Sequence, residues 1–259
     1  MTKRKVLVLS DIHVGSLYSP WPPRFKYDGM VIDQMSEANR TLYKYWGKMV
    51  KCVQDVDAII INGDICEGNQ KKEDGLYTIT TDLNAQIAAA IMMLKQLPDV
   101  PTYYTRGTAY HIENNRPMDE CIAKELGGIY GPELIVKECG IKFHCQHYLS
   151  SSLSVWVYEP TALARDLVLL SLQNDKYGKV DVAIRSHRHR FCAVSFADSM
   201  GICTPSWKVK SVYSVERGIL SLPNIGWIII ETDEKEIRID RTGIAHLIKP
   251  CAVVGRDAA

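Results

Sequence analysis

Four apolar runs along the chain each stop at a residue able to bind a ligand. Val6-Leu7-Val8-Leu9 runs into Ser10-Asp11-Ile12-His13, and Ala58-Ile59-Ile60-Ile61 into Asn62-Gly63-Asp64. Pro101-Thr102-Tyr103-Tyr104 leads to Thr105-Arg106-Gly107-Thr108, with His111 beyond, and Val182-Ala183-Ile184-Arg185 leads to Ser186-His187-Arg188-His189. Short continuous apolar runs are the pattern of strands buried on both faces, as in parallel sheets. In such sheets ligands collect just beyond the carboxyl ends of the strands.

Between these runs the period changes. Leu42, Tyr45, Trp46, Met49, Val50 and Val53 recur at spacings of three and four and predict a helix over 34–54. A second helix is expected over 80–97, capped by Thr81 or Asp82 and halted before Pro98. Strand–helix alternation predicts right-handed crossovers and a largely parallel sheet. Further on, the pattern predicts a helix over 116–126 ended by Gly127-Gly128, a hairpin of strands 133–137 and 141–146 around Cys139-Gly140, and a helix over 161–172. The region 191–241 reads as β-rich, with runs over 191–197, 225–232 and 236–240 and a hairpin turn at Asp233-Glu234-Lys235. The polar stretch 65–75, with its charged run 71–74, and the serine-rich stretch 150–154 read as loops, and the tail 254–259 as frayed. Residues 14–29 read as a long irregular loop whose Tyr18, Trp21, Phe25 and Tyr27 suit either contact with a substrate or packing over a helix. The simplest architecture is one α/β domain over 1–259 with a β-rich closure from about 191.

Composition narrows this little. The 259 residues carry 31 Lys and Arg against 30 Asp and Glu, so no global charge dictates a nucleic acid or an anionic membrane as partner. The eight cysteines contain no Cys-x-x-Cys pair and read as reduced thiols acting as small apolar residues. No apolar run approaches the ~20 residues of a membrane span. The expectation is a soluble cytoplasmic protein without a membrane partner.

The chemistry lies in the run ends. Asp11 and His13 offer one hard oxygen and one nitrogen, a set suited to Zn, Mn or Fe rather than Ca or Mg. A two-metal hydrolase needs a carboxylate shared by ions roughly 3.5–4 Å apart, nitrogen ligands, and a hydroxide between the ions as nucleophile. Asp64 follows Gly63 at a strand end, where backbone can approach closely, and is the choice for the shared carboxylate.

Taken together, Asp11-x-His13, Gly63-Asp64, Gly107-Thr108 with His111, a middle His, and His187-x-His189 resemble the motifs of the calcineurin-like metallophosphoesterases, in order and in the strand ends they occupy, over about 6–191. The loop after the first motif, the order of elements and the β-rich ending further resemble phage and bacterial members. The resemblance implies a four-layer α/β/β/α sandwich of two mixed sheets with flanking helices. It also implies two divalent metal ions, Mn foremost and Fe, Zn or Ni as alternatives, that cleave a phosphodiester or phosphomonoester. Carried over residue by residue, it places Asp11, His13 and His189 on the first ion, Asp64 between the ions, and the middle His with His187 on the second. His144 and His147 both fit the middle position, and His147, where the strand stops, is favoured.

The third motif departs from the family's common Gly-Asn-His. Thr108 stands in the place of the Asn, as a weaker oxygen ligand, and His111 follows three residues later. The resemblance then implies a second ion held loosely or by His111 itself, with His111 placed to protonate the leaving group. Arg106 and Arg188 flank the ligands and are candidates to neutralise phosphate charge, Arg106 being counted with His111 in the catalytic set. A phosphodiesterase or nuclease acting on nucleic acid or a nucleotide is the favoured activity. A protein phosphatase and a catalytically weak metal-stabilised scaffold are the alternatives.

Overall fold

A computed structural model describes residues 3–69, 75–109, 112–113, 116–149, 159–212, 215, 218, 222–233 and 236–245. The first part of the chain builds β1 (Arg4–Leu9), a ribbon of β2 (Phe25–Tyr27) and β3 (Met30–Ile32), α1 (Glu37–Cys52), β4 (Ala58–Ile61), α2 (Leu83–Leu94) and β5 (Thr102–Thr105). The middle adds the ribbon β6 (Ile112–Glu113) and β7 (Arg116–Pro117), α3 (Met118–Glu125), β8 (Ile129–Gly131), β9 (Glu133–Glu138), β10 (Ile141–Gln146), α4 (Glu159–Leu172) and α5 (Asn174–Tyr177). The last part is β11 (Val182–Arg185), β12 (Cys192–Phe196), β13 (Ser199–Cys203), β14 (Ile225–Gly226), β15 (Ile228–Thr232), β16 (Ile237–Asp240) and β17 (Ile244–Ala245).

The strands divide between two mixed sheets, ordered β16-β15-β1-β4-β5-β8 and β12-β13-β11-β10-β9. In the first, β1, β4, β5 and β8 run parallel, and β15 lies antiparallel on the outer side of β1. In the second, β10, β11 and β13 run parallel, and β9 and β12 are antiparallel edges.

Side-chain alternation makes the layers. Val6 and Val8 of β1 and Ala58 and Ile60 of β4 face the second sheet, where they meet Phe143, Cys145, Val182 and Ile184. Leu7, Leu9, Ile59 and Ile61 face the other way, onto Trp46, Met49, Ala89, Met93 and Ile122 of the first three helices. On the far side of the second sheet, α4 sets Leu163 against Cys203, and Leu167 and Leu170 against Ala183. The result is helices, sheet, sheet, helices: the sandwich, rather than one parallel sheet with a β-rich closure. The strands of the β-rich end are shared out, β12 and β13 to one sheet and β15 and β16 to the other, where Ile202, Ile228 and Ile230 join the inter-sheet core. Among the described residues no helix is long and apolar enough to cross a membrane.

Local departures from the expected elements have local reasons. Helix α1 starts at Glu37, because Ser36 and Asn39 form a reciprocal capping box there. The stretch 14–29 holds half of a two-stranded ribbon that turns at Asp28-Gly29, both at positive φ, the Asp-Gly signal of a tight hairpin. Its Trp21 and Phe25 are buried core residues and so do not form a stacking surface for bases. Strand β13 follows a turn in which Ala197 takes a φ of 50°, a conformation that nothing in its side chain advertises. Residues 71–74, 150–154, 234–235 and 254–259 lie outside the described residues.

Phe143 is fully buried between the sheets. Phe143→Ala is expected to lower stability by about 3–5 kcal/mol in urea unfolding. A loss under about 1 kcal/mol would contradict the packed inter-sheet layer.

Candidate metal centre

All seven parallel strands of the two sheets point their carboxyl ends to one side, and six of the loops that leave them converge. Above the apolar inter-sheet layer comes a buried polar one. The Asn62 side chain donates to Ser186 Oγ (2.6 Å) and the Gln146 carbonyl (3.1 Å) and accepts from Thr105 Oγ1 (2.8 Å), linking both sheets. Thr204 Oγ1 lies 2.6 Å from Ser10 Oγ and 2.8 Å from Ser186 Oγ. The chain then turns sharply at each strand end. Asp11, His13, Asp64, His187 and His189 have φ of 47°, 53°, 54°, 71° and 56°. The left-handed region is uncommon for residues with a side chain, and such strain concentrates at functional sites. Here it lets each chain leave its strand and aim a ligand back over the strand end.

Two clusters result. Asp11, His13 and His189 bring ligand atoms within 4.8 Å of one another, and so do Asp64, His147 and His187. In the first, His189 Nε2 lies 3.3 Å from Asp11 Oδ1 and 3.2 Å from His13 Nε2. In the second, His147 Nε2 lies 3.1 Å from Asp64 Oδ2. The same nitrogen is 3.9 Å from Asp11 Oδ1, so the clusters adjoin.

Supporting groups hold these side chains in place. Asp11 Oδ2 accepts from Ser10 Oγ (2.8 Å) and the His187 backbone N–H (3.2 Å). Asp64 Oδ1 accepts from the Thr108 N–H (2.6 Å) and hydroxyl (3.2 Å). His147 Nδ1–H donates to the Asn62 carbonyl at 2.7 Å, which turns Nε2 and its lone pair to the centre. Asp119 accepts from the Ile65 N–H (3.0 Å) and the Gly107 N–H (2.8 Å) and pins the second loop to the third. Two glycines are demanded by this crowding. A Cβ on Gly107 would sit 2.0 Å from Asp64 Oδ1, and one on Gly63, at φ +84°, would sit 2.6 Å from His147 Nδ1.

The electrostatics follow from burial. Burial opposes charge on His147, but Asp64 and Asp11 outweigh it and push its imidazole up to about 10. Burial pushes His13 down to about 4 against the pull of Glu67, and burial with the neighbouring His147 takes His187 to about 4. Burial also opposes the charge of Asp11, yet His189 and His147 hold its carboxyl below the usual range. One proton on His147 thus shares the space between two carboxylates, a place that a cation can take instead. Asp11 Oδ1 and His147 Nε2 are buried and have only one another's clusters as polar neighbours, at 3.1–3.9 Å and without well-aligned hydrogen bonds. A donor set of imidazole nitrogens and carboxylate oxygens, turned inward upon one another, fits divalent transition metals.

The other expected site residues fall as follows. Thr108 is set against Asp64. Arg106 is exposed at the end of β5, near enough to act on the Tyr130 phenol. Arg188 lies between the two ligands of the last motif. His111 lies outside the described residues. His144 points to the helix side of the second sheet, with Nε2 2.8 Å from Glu133 Oε1 and Nδ1 3.1 Å from Arg185 Nη1. Reading strand ends alone missed Asp119, Glu67 and Lys208, and Glu67 alone carried a signal, three residues after Asp64 in the same loop.

The fold is a four-layer sandwich of two mixed sheets with flanking helices. No protein-family profile matches the sequence, and no curated protein does. Among solved structures, Vps29 of Entamoeba histolytica in complex with zinc is 14% identical, with 91% of this chain and 89% of that one covered at a TM-score of 0.48. An archaeal phosphodiesterase is 14% identical, with 93% and 99% covered at 0.47. A predicted phosphoesterase of Streptococcus pneumoniae is 11% identical, with 93% and 89% covered at 0.45. Likeness of this degree concerns the path of the chain and carries no activity with it.

Gly63→Ala is expected to lower stability by roughly 1–3 kcal/mol in thermal unfolding, from strain at positive φ and the clash with His147. Gly47→Ala, in α1 with nothing within 4 Å of the new Cβ, should raise it by about 0.5–1 kcal/mol. Equal effects would contradict the crowding at Gly63.

Proposed function

We propose that the chain is a two-metal phosphoesterase of the calcineurin-like family. The single observation that carries this reading is the pair of adjoining clusters, each of one Asp and two His, at the strand ends. Asp11, His13 and His189 would hold the first ion, and Asp64, His147 and His187 the second. Asp64 is assigned as the carboxylate shared by both. When bound, the ions supply Lewis acidity toward the phosphoryl oxygens and an activated water for attack at phosphorus.

The remaining steps fall to the chain. Thr108 holds the Asp64 carboxylate in orientation through its N–H and hydroxyl. His111 is assigned to protonate the leaving group, from its place in the third motif. Arg106 is assigned to phosphate charge. A phosphodiester with an aromatic or nucleoside group is the substrate class we favour. Tyr148, 44% exposed, stands with its ring 4.8 Å from that of His187, where such a group could stack. Manganese is the ion of choice for assay. The second reading is a metal-stabilised scaffold, favoured by a threonine hydroxyl standing where the family commonly has an amide.

Metal content by plasma mass spectrometry, with manganese-supported hydrolysis of bis-p-nitrophenyl phosphate, tests the proposal. The wild type is expected to bind near two ions and turn substrate over. Asp64→Asn should lose both ions, whereas His187→Ala should lose one and most turnover. Loss of one ion in Asp64→Asn would reassign the shared carboxylate. Metal without turnover would leave the scaffold reading, and neither would overturn both.

His111→Ala should keep the metal content and lower kcat by about 100-fold or more. Unchanged kcat would remove His111 from catalysis.

A further inference from the structure

Lys208 belongs to no ligand motif, yet it reaches the back of the first cluster. Its Nζ lies 2.5 Å from Glu67 Oε1, and Glu67 Oε2 lies 2.8 Å from His13 Nδ1. The Glu67 and Lys208 side chains are only 1% and 16% exposed. This is not the solvated surface pair that contributes little. A buried carboxylate without a counter-charge would be costly, and the Lys208 ammonium touches it.

The place of Lys208 in the fold is specific. It sits in the loop that leaves β13, the third parallel strand of the second sheet, so it occupies the same kind of strand-end position as the ligands. Backbone bonds fasten this loop to the first motif on both sides of Lys208. The Trp207 N–H donates to the Asp11 carbonyl and the Val209 N–H to the Tyr18 carbonyl, each at 2.9 Å. The Lys208 backbone N–H donates to Ser206 Oγ at 3.4 Å. The ammonium is therefore delivered by an anchored loop and is not a floating side chain that happens to find an acid.

We propose that Lys208 is a positioning residue for the first metal site: it clamps Glu67, and Glu67 sets the ring of His13. With Oε1 held by the ammonium, Oε2 is presented to His13 Nδ1. That contact turns Nε2 toward Asp11 and His189, the arrangement a metal-binding imidazole needs. The ammonium also balances the Glu67 charge beside Asp11, so Glu67 orients His13 without adding a second uncompensated anion to the cluster. The inference rests on the two-ion reading.

Cobalt(II) titration of metal-free wild type, Lys208→Met, Lys208→Arg and Glu67→Gln tests it, followed by visible absorption and calorimetry, with thermal unfolding of each metal-free protein. The wild type is expected to take up two cobalt ions. Lys208→Met should weaken one of the two by about tenfold or more and change that ion's absorption spectrum, with the other ion nearly unchanged and the metal-free melting temperature lowered, because Glu67 loses its counter-charge. Glu67→Gln should affect the same ion, and Lys208→Arg should recover most of its affinity. A Lys208→Met protein with both affinities and both spectra of the wild type overturns the proposal. So does a variant that weakens both ions alike, which would make Lys208 a structural brace only. A wild type that takes up no cobalt overturns the two-ion reading itself, and the two failures are thereby told apart.

Discussion

Four carboxylates, Asp11, Asp64, Glu67 and Asp119, are buried at the same end of two packed sheets. Taking them out of water is costly unless each charge is met by hydrogen bonds or by a cation. Asp119 is met by two backbone N–H groups, Glu67 by Lys208, and Asp64 by Thr108 and His147. Asp11 is met on Oδ2 by Ser10 and the His187 N–H, while Oδ1 faces three imidazoles. The loops around the centre are shaped by this demand. Each turns so as to put an N–H, a hydroxyl or a ring nitrogen where a carboxylate oxygen would otherwise be bare.

Such turns are unfavourable in themselves, with five residues of the two candidate clusters at positive φ. They persist because the strands beneath them are immobilised from both faces. β1 and β4 are covered by helices on one side and by the second sheet on the other, in layers that alternate residue by residue. The polar layer of Ser10, Asn62, Thr105, Ser186 and Thr204 then joins the two sheets at the level where the ligands begin. Rigid apolar packing below, saturated hydrogen bonding at mid-height and strained ligand loops above form one continuous support.

The fate of the two histidines near the end of β10 shows how the layers sort chemistry. His144 is within the strand, one position out of phase with Phe143 and Cys145, so it must point away from the inter-sheet core. There it joins a separate buried network in which Arg185 Nε donates to Asp166 Oδ2 at 2.9 Å and Tyr177 donates to Glu133 at 3.0 Å. This second network holds α4 and α5 to the sheet and takes no part in the centre. His147 lies one residue beyond Gln146, the last of the strand, and is free of the pleat, so its ring can fold over the strand end.

What the sequence by itself determined is local. The apolar runs mark strands, the period of three and four marks α1, and the Asp, Gly and His residues at the run ends mark where ligands gather, because each of these is written in neighbouring positions. The hidden β13 shows the limit: its turn residue Ala197 carries no turn signal, and with the strand went the loop that bears Lys208. The tertiary structure alone decided which strands share a sheet and how the candidate ligands divide into two clusters. It alone also placed Asp119, Glu67 and Lys208 around them. Lys208 meets Glu67 across 141 positions, and His13 meets His189 across 176. Contacts of that span are set by the packing of the two sheets, through apolar surface and buried charge, and no window of neighbouring residues contains them.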